Sequence, residues 1–273
     1  MDIRVRGISY HVEIHQNNKA LPSLVLLHGF MGSGNQFEHL IPELVAFCNP
    51  ITIDLLGHGQ TEGAELHYRF STKEQIADLA KLIGEQLKIP LFLYGYSMGA
   101  RLSLQLALFR PDLIKGLILE SGTFGIEGET ERQARQALDA RRSDAIMGNF
   151  EGFLKEWAEM PLFSTSSADE GLLNQVKEVQ QKQDPFWLAN SLQGFGTGTM
   201  PCVRNRLGEM PMPVQLLVGE KDSKFLHINQ QMKKEIRNSE LAVVKEAGHR
   251  VHLDQPENLV EHLKSFIQKN TTP

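Results

Sequence analysis

The residues needed to activate a hydroxyl occur in this chain in a telling order. Gly95-Tyr96-Ser97-Met98-Gly99 follows the apolar run LFLY and precedes ARLSLQLALF. A serine on a sharp strand-to-helix turn between small residues holds its hydroxyl above a sheet, ready to act as a nucleophile or base. A tight structural turn is the competing reading of the same five residues. Such a hydroxyl needs a base, and the base needs an orienting acid. On this kind of turn the partners follow in the order acid, then histidine. Asp222 comes just after VQLLVG, and His249 just after AVVKE. Glu220 competes with Asp222, and His252 competes with His249.

Charge that develops on a substrate oxygen needs preorganised N–H donors. Met98, directly after the serine, supplies one, and Phe30, in HGFMGSG after LVLL, supplies the other. His28 supports that loop, and glycines 29, 32 and 34 let its backbone approach a ligand. Asp54, in DLLGHG, reads as structural. Zinc-type spacings, a Walker loop and G-x-G-x-x-G are absent from the sequence, so no metal or nucleotide cofactor is expected.

Arg101 stands one helical turn after Ser97 and so shares its face. Its neighbours are mostly apolar, and a buried guanidinium without a partner is expensive. Either an internal acid such as Glu120 or Asp54 neutralises it, or it faces the pocket and awaits a substrate carboxylate.

These residues need a scaffold that brings distant strand ends together. Short apolar runs at 23–27, 49–54, 91–95, 116–121, 214–219 and 242–246 have the length of strands buried on both faces. IRVRGISYHVEIH predicts a hairpin ahead of them. Helical spacing lies between the runs, as with Ile76, Leu79, Ile83 and Leu87 behind an S-x-x-E capping box at Ser71 and Glu74. A second such helix carries Leu259, Leu263, Phe266 and Ile267. The alternation predicts an α/β fold with a mostly parallel central sheet. From 123 to 210 the alternation stops, and charged helical segments replace it. That span is too long for a loop, so we expect an inserted helical cap over a core made of 1–122 and 211–273.

The chain has 273 residues, 41% hydrophobic and 22% charged, with a formal net charge of −5. Those values fit a packed domain and leave no basic stripe for nucleic acid or anionic lipid. The N-terminus alternates rather than forming a secretory signal, and no apolar run is long enough to span a bilayer. Only Cys48 and Cys202 are present. Reduced thiols and a cytoplasmic location are expected, as a monomer or small homo-oligomer.

LVLLHGFMGSG, IDLLGHGQT, YGYSMGARLSLQLA, LANSLQGFGTG and VGEKDSKF together give the chain a recognisable character. So does the cap motif around Trp157 and Phe163. From about residue 24 to the end the chain resembles the 2-succinyl-6-hydroxy-2,4-cyclohexadiene-1-carboxylate synthases of menaquinone biosynthesis, enzymes of the α/β-hydrolase fold. The resemblance implies a lyase that eliminates pyruvate from a small poly-carboxylate, without cofactor. It implies Ser97, Asp222 and His249 as the triad, and Tyr96, Arg101 and Trp157 as substrate contacts. Arg135 matches a cap arginine of the R-x-x-x-D type, with Arg132, Arg141 and Arg142 as alternatives. A second cap arginine is missing before DPFWLANSL, where the chain reads KEVQQKQ and offers Lys177 or Lys182.

Overall fold

The computed structural model describes residues 1–87, 89–163 and 167–271. Strands β1 (Asp2–Val5) and β2 (Ile8–Ile14) form the N-terminal hairpin around Arg6 and Gly7. Both turn residues have positive φ, 47° and 91°, which matches the twist of a two-residue hairpin. β2 pairs antiparallel with β4 (Asn49–Ile53), and every later pairing is parallel. The remaining strands are β3 (Ser23–Leu27), β5 (Leu91–Tyr96), β6 (Ile114–Glu120), β7 (Val214–Gly219) and β8 (Ser239–Val244). Their order across the sheet is β1-β2-β4-β3-β5-β6-β7-β8.

Alternate side chains on each central strand enter opposite apolar layers, which is why the strands read as unbroken apolar runs. Val25, Leu27, Leu93, Leu117 and Leu216 join one layer, while Leu24, Leu26, Phe92, Ile118 and Leu217 join the other. The helices are α1 (Ile41–Leu44), α2 (Thr72–Gln86), α3 (Met98–Phe109), α4 (Glu129–Gly148), α5 (Phe150–Ala158), α6 (Glu170–Gln181), α7 (Pro185–Phe195), α8 (Ser223–Glu235), α9 (Val251–Asp254) and α10 (Pro256–Thr271). Leu79 and Ile83 of α2 pack into the first layer, and Leu259, Leu263 and Phe266 of α10 into the second. Among the described residues no helix is long and apolar enough to cross a membrane.

The structure departs from the sequence expectations in three places. β8 starts at Ser239 rather than 242, paired in register from Val214, and Glu246 at φ 59° lies past its end. Ser71 occupies the N-cap of α2, but its side chain makes no cap bond, and Glu74 pairs with Arg6 of the hairpin instead. The third is α7, a helix that the charged segments did not announce. Asp184 caps it, accepting from the N–H groups of Phe186 (2.8 Å) and Trp187 (3.3 Å), with Pro185 in the first turn. α4 lies along α7, and between them Ile146, Leu188, Ala189 and Leu192 form a small core with Phe153. Met31, from the loop after β3, joins that core.

Candidate active site

Ser97 alone makes the turn between β5 and α3, at φ 50° and ψ −102°. A left-handed serine costs about 1–3 kcal/mol and persists only where neighbours hold it. Its N–H donates to the Glu120 carbonyl of β6 (2.9 Å), and its own carbonyl accepts from Arg101 N–H (3.1 Å). The flanking glycines are needed for close approach. A Cβ on Gly95 would stand 2.5 Å from Gly99 O, and one on Gly99 would stand 2.2 Å from Leu27 O.

The carboxyl ends of β5, β7 and β8 bring three distant residues together. His249 Nε2 lies 3.1 Å from Ser97 Oγ, and His249 Nδ1 lies 2.6 Å from Asp222 Oδ2. The other Asp222 oxygen accepts Phe225 N–H at the start of α8 (3.4 Å). A carboxylate on Nδ1 fixes the tautomer whose Nε2 lone pair faces the serine, as a base requires. Glu220 is exposed, and its carboxylate accepts Glu246 N–H (3.3 Å). His252 points to Glu120 instead, with Nδ1 2.8 Å from Oε1. Neither rival enters the triad.

Phe30 and Met98 line a cavity of about 790 Å³ together with Ser97 and His249. Met98 opens α3, so its N–H is one of the donors a helix start leaves unpaired. His28 is buried behind this loop. Its Nδ1 is 2.7 Å from Gly29 O, and its Nε2 accepts Leu55 N–H (2.9 Å). Burial pushes His28 down to about 4, and burial together with His28 pushes neighbouring His58 down to about 3. Below pH 6.5 the unfolded chain therefore binds protons that the folded chain refuses, and stability falls as pH drops through that window toward 4. His58→Asn retains a short donor for the Leu56 carbonyl and removes one titrating ring. The slope of melting temperature against pH between 6.5 and 4 should become shallower; an unchanged slope would exclude His58 as a source.

Arg101 reaches the cavity from α3. Its Nη1 donates to the Phe195 carbonyl (2.7 Å) and approaches Met200 Sδ (3.5 Å), and its guanidinium carbon lies 4.8 Å from the Phe195 ring centroid. Phe195 ends α7, so the cation caps the negative end of that helix. Both internal acids considered for it are engaged elsewhere. Tyr94 and His252 occupy the Glu120 carboxylate, and Asp54 accepts the N–H groups of Gly34 (2.6 Å) and Gln60 (2.8 Å). Among the described residues Arg101 forms no salt bridge within 4.0 Å. Burial, then the field of Arg135, lowers its pKa to about 9, and it stays cationic at neutral pH.

Further cations line the same cavity. Arg135 directs Nε at both oxygens of buried Asp139 (2.8 and 2.9 Å). Arg142 Nη1 lies 3.8 Å from Asp139 Oδ1, with its guanidinium carbon 5.4 Å from the Trp157 ring centroid. Arg132 pairs with Glu129 and Arg141 is exposed; neither lines the cavity. Of the two lysines weighed for the missing arginine, exposed Lys182 is on the lining and Lys177 is not. Sequence reasoning passed over Lys224 and Arg250, which also line it. Their signal was position, two residues after Asp222 and one after His249. Arg250 lies over the Phe163 ring (3.9 Å to the centroid). Tyr96 is buried, its ring 5.5 Å from that of His249. Trp157 meets Phe30 edge-on at 5.5 Å.

Comparison with known proteins adds an independent line. Residues 22–256 match the family described as alpha/beta hydrolase fold. A Bacillus subtilis (strain 168) relative is 36% identical over 96% of this chain and 95% of its own, and its name assigns it provisionally as a 2-succinyl-6-hydroxy-2,4-cyclohexadiene-1-carboxylate synthase. A Salmonella typhimurium relative bears the same name outright, at 25% identity over 94% of this chain and 98% of its own. The solved structure of MenH from S. aureus superposes with a TM-score of 0.86 at 28% identity, covering 96% of this chain and 99% of that one.

Proposed function

Because the chain belongs to the α/β-hydrolase fold family, and within it to the 2-succinyl-6-hydroxy-2,4-cyclohexadiene-1-carboxylate synthases of menaquinone biosynthesis, we infer that it is a pyruvate-eliminating lyase. Its substrate is 2-succinyl-5-enolpyruvyl-6-hydroxy-3-cyclohexene-1-carboxylate. The observation that carries this reading is the charge of the cavity. Arg101, Arg135, Arg142 and Lys224 line the same cavity as the serine hydroxyl, more cation than a simple ester needs. The substrate bears carboxylates on the succinyl arm, the enolpyruvyl arm and the ring. The helices of 123–210 act as the cap over the core of 1–122 and 211–273. Free Cys48 and Cys202 fit the reducing cytoplasm, and burial pushes the Cys48 thiol up to about 12, which keeps it inert.

The chemistry follows from the triad. Asp222 holds His249 with Nε2 toward Ser97, which raises the basicity of the serine oxygen. Ser97 Oγ removes the proton from ring carbon 2, next to the succinyl carbonyl, as its own proton passes to His249. The electron pair enters the C2–C3 bond, the C3–C4 double bond shifts to C4–C5, and the bond from C5 to the enolpyruvyl oxygen breaks. Pyruvate leaves as its enolate and regains the proton on carbon, so no water is consumed. Negative charge on the succinyl oxygen is met by the Phe30 and Met98 N–H groups, each such donor worth roughly 10²–10³ in turnover.

Incubation with this substrate should yield one pyruvate for each cyclohexadiene formed. Cleavage of simple esters to acid and alcohol, with no pyruvate from the cyclohexene, would instead identify a hydrolase on the same scaffold.

A further inference from the structure

Two of the groups left outside the triad and the Arg101 site, Glu120 and His252, are bonded to each other. Both are fully buried, and neither lines the cavity. Glu120 ends β6 directly opposite Tyr96 at the end of β5. One carboxylate oxygen accepts the Tyr94 hydroxyl. The other faces His252 twice, at 3.3 Å from the main-chain N–H and 2.8 Å from Nδ1. Gln36 Nε2 lies 2.6 Å from His252 Nε2. An amide nitrogen only donates, so Nε2 accepts and Nδ1 carries the proton offered to Glu120. The His252 carbonyl is held in turn by His39 Nε2 (2.7 Å). The imidazole is thereby fixed at each ring nitrogen and along its backbone.

What this fixed ring touches gives it a role. Its centroid lies 4.4 Å from that of Tyr96, and Tyr96 also faces the His249 ring at 5.5 Å. Tyr96 immediately precedes Ser97, and the Glu120 carbonyl accepts the Ser97 N–H (2.9 Å). The pair therefore reaches both reacting partners, the serine through its amide and the histidine through a tyrosine ring. An apolar pair of equal volume would fill the same space without desolvating a carboxylate, so packing alone does not explain it.

We propose that Glu120 and His252 form a second acid–imidazole pair whose role is positional: it holds Ser97 and His249 in mutual register through Tyr96, without touching substrate. The inference does not depend on which reaction the site performs. His252→Asn keeps a donor for Glu120 but removes the ring from Tyr96. It should lower kcat about 30-fold with KM changed less than about threefold, and should slow phosphonylation of Ser97 by a fluorophosphonate in parallel. Glu120→Gln, whose amide accepts from His252 and donates to the Tyr94 oxygen, should retain kcat to within about fivefold, whereas Glu120→Ala should not. If His252→Asn lacks a cooperative melting transition, Tyr94→Phe becomes the test. It removes one donor from Glu120 and nothing from the cavity lining, and should reduce both rates together by about three- to tenfold. Unchanged rates in a folded His252→Asn or Tyr94→Phe protein would overturn the proposal, as would a higher KM at constant kcat. Phosphonylation needs no cyclohexene substrate, so a failure of the lyase reading leaves this test intact.

Discussion

Ser97→Ala is expected to lower pyruvate release about 10⁴-fold while substrate affinity changes by only a few-fold. The loss is large because the hydroxyl stands between His249 Nε2, 3.1 Å away, and the cavity, and among the described residues no other side chain bonds to Nε2. What remains under the proposed mechanism is the help of the Phe30 and Met98 donors and of the cations, which line the cavity with or without the hydroxyl. Alanine inherits the same left-handed backbone at φ 50°, so the substitution relieves no strain and the melting temperature should barely move. Turnover by single-cycle pyruvate release and affinity by calorimetry separate the two quantities. A variant that kept more than about a tenth of wild-type kcat would exclude Ser97 as the base.

Arg101→Ala should reduce kcat/KM about 10³-fold, within the range for removing one partner of a buried, hydrogen-bonded charge pair. Two effects are mixed in that substitution. The Phe195 carbonyl loses its donor, which costs about 1 kcal/mol of stability through the end of α7, and under the proposed reading the substrate carboxylate loses its cation. Arg101→Lys separates them. Lysine preserves a charge near the helix end but not a forked contact, so stability should recover more fully than kcat/KM. A substrate analogue lacking the carboxylate bound by Arg101 should be processed by wild type and variant alike. Normal turnover of the full substrate by Arg101→Ala would remove the carboxylate-partner reading.

Much of this molecule is legible as a string of residues, for identifiable reasons. β3, β4, β5 and β7 are buried along their whole length, so they appear as short, largely apolar runs without a charged residue. β8 lies at the sheet edge with a mixed burial pattern, so its first three residues leave no apolar run in the sequence. Asp184 and Pro185 announce α7, but the helix carries no charged residue to set off its buried face, and Phe186 stands exposed at its start. The serine, acid and histidine were legible because strand ends constrain where chemistry can sit. The surroundings of Arg101 were not. Its partner is a main-chain carbonyl on a helix from another part of the chain, and side-chain identity carries no signal for such a contact. The same blindness leaves Glu120 beside Asp54 as a candidate partner for Arg101, and His252 as a rival of His249, when Glu120 and His252 satisfy each other.

The loop that carries Phe30 is anchored on two sides. Phe30 meets Trp157 of α5 edge-on, and Met31 is sunk among Ile146, Phe153 and Leu188 of the helical segment. The place of the Phe30 amide is therefore set by α4, α5 and α7 as well as by the strand that leads into it.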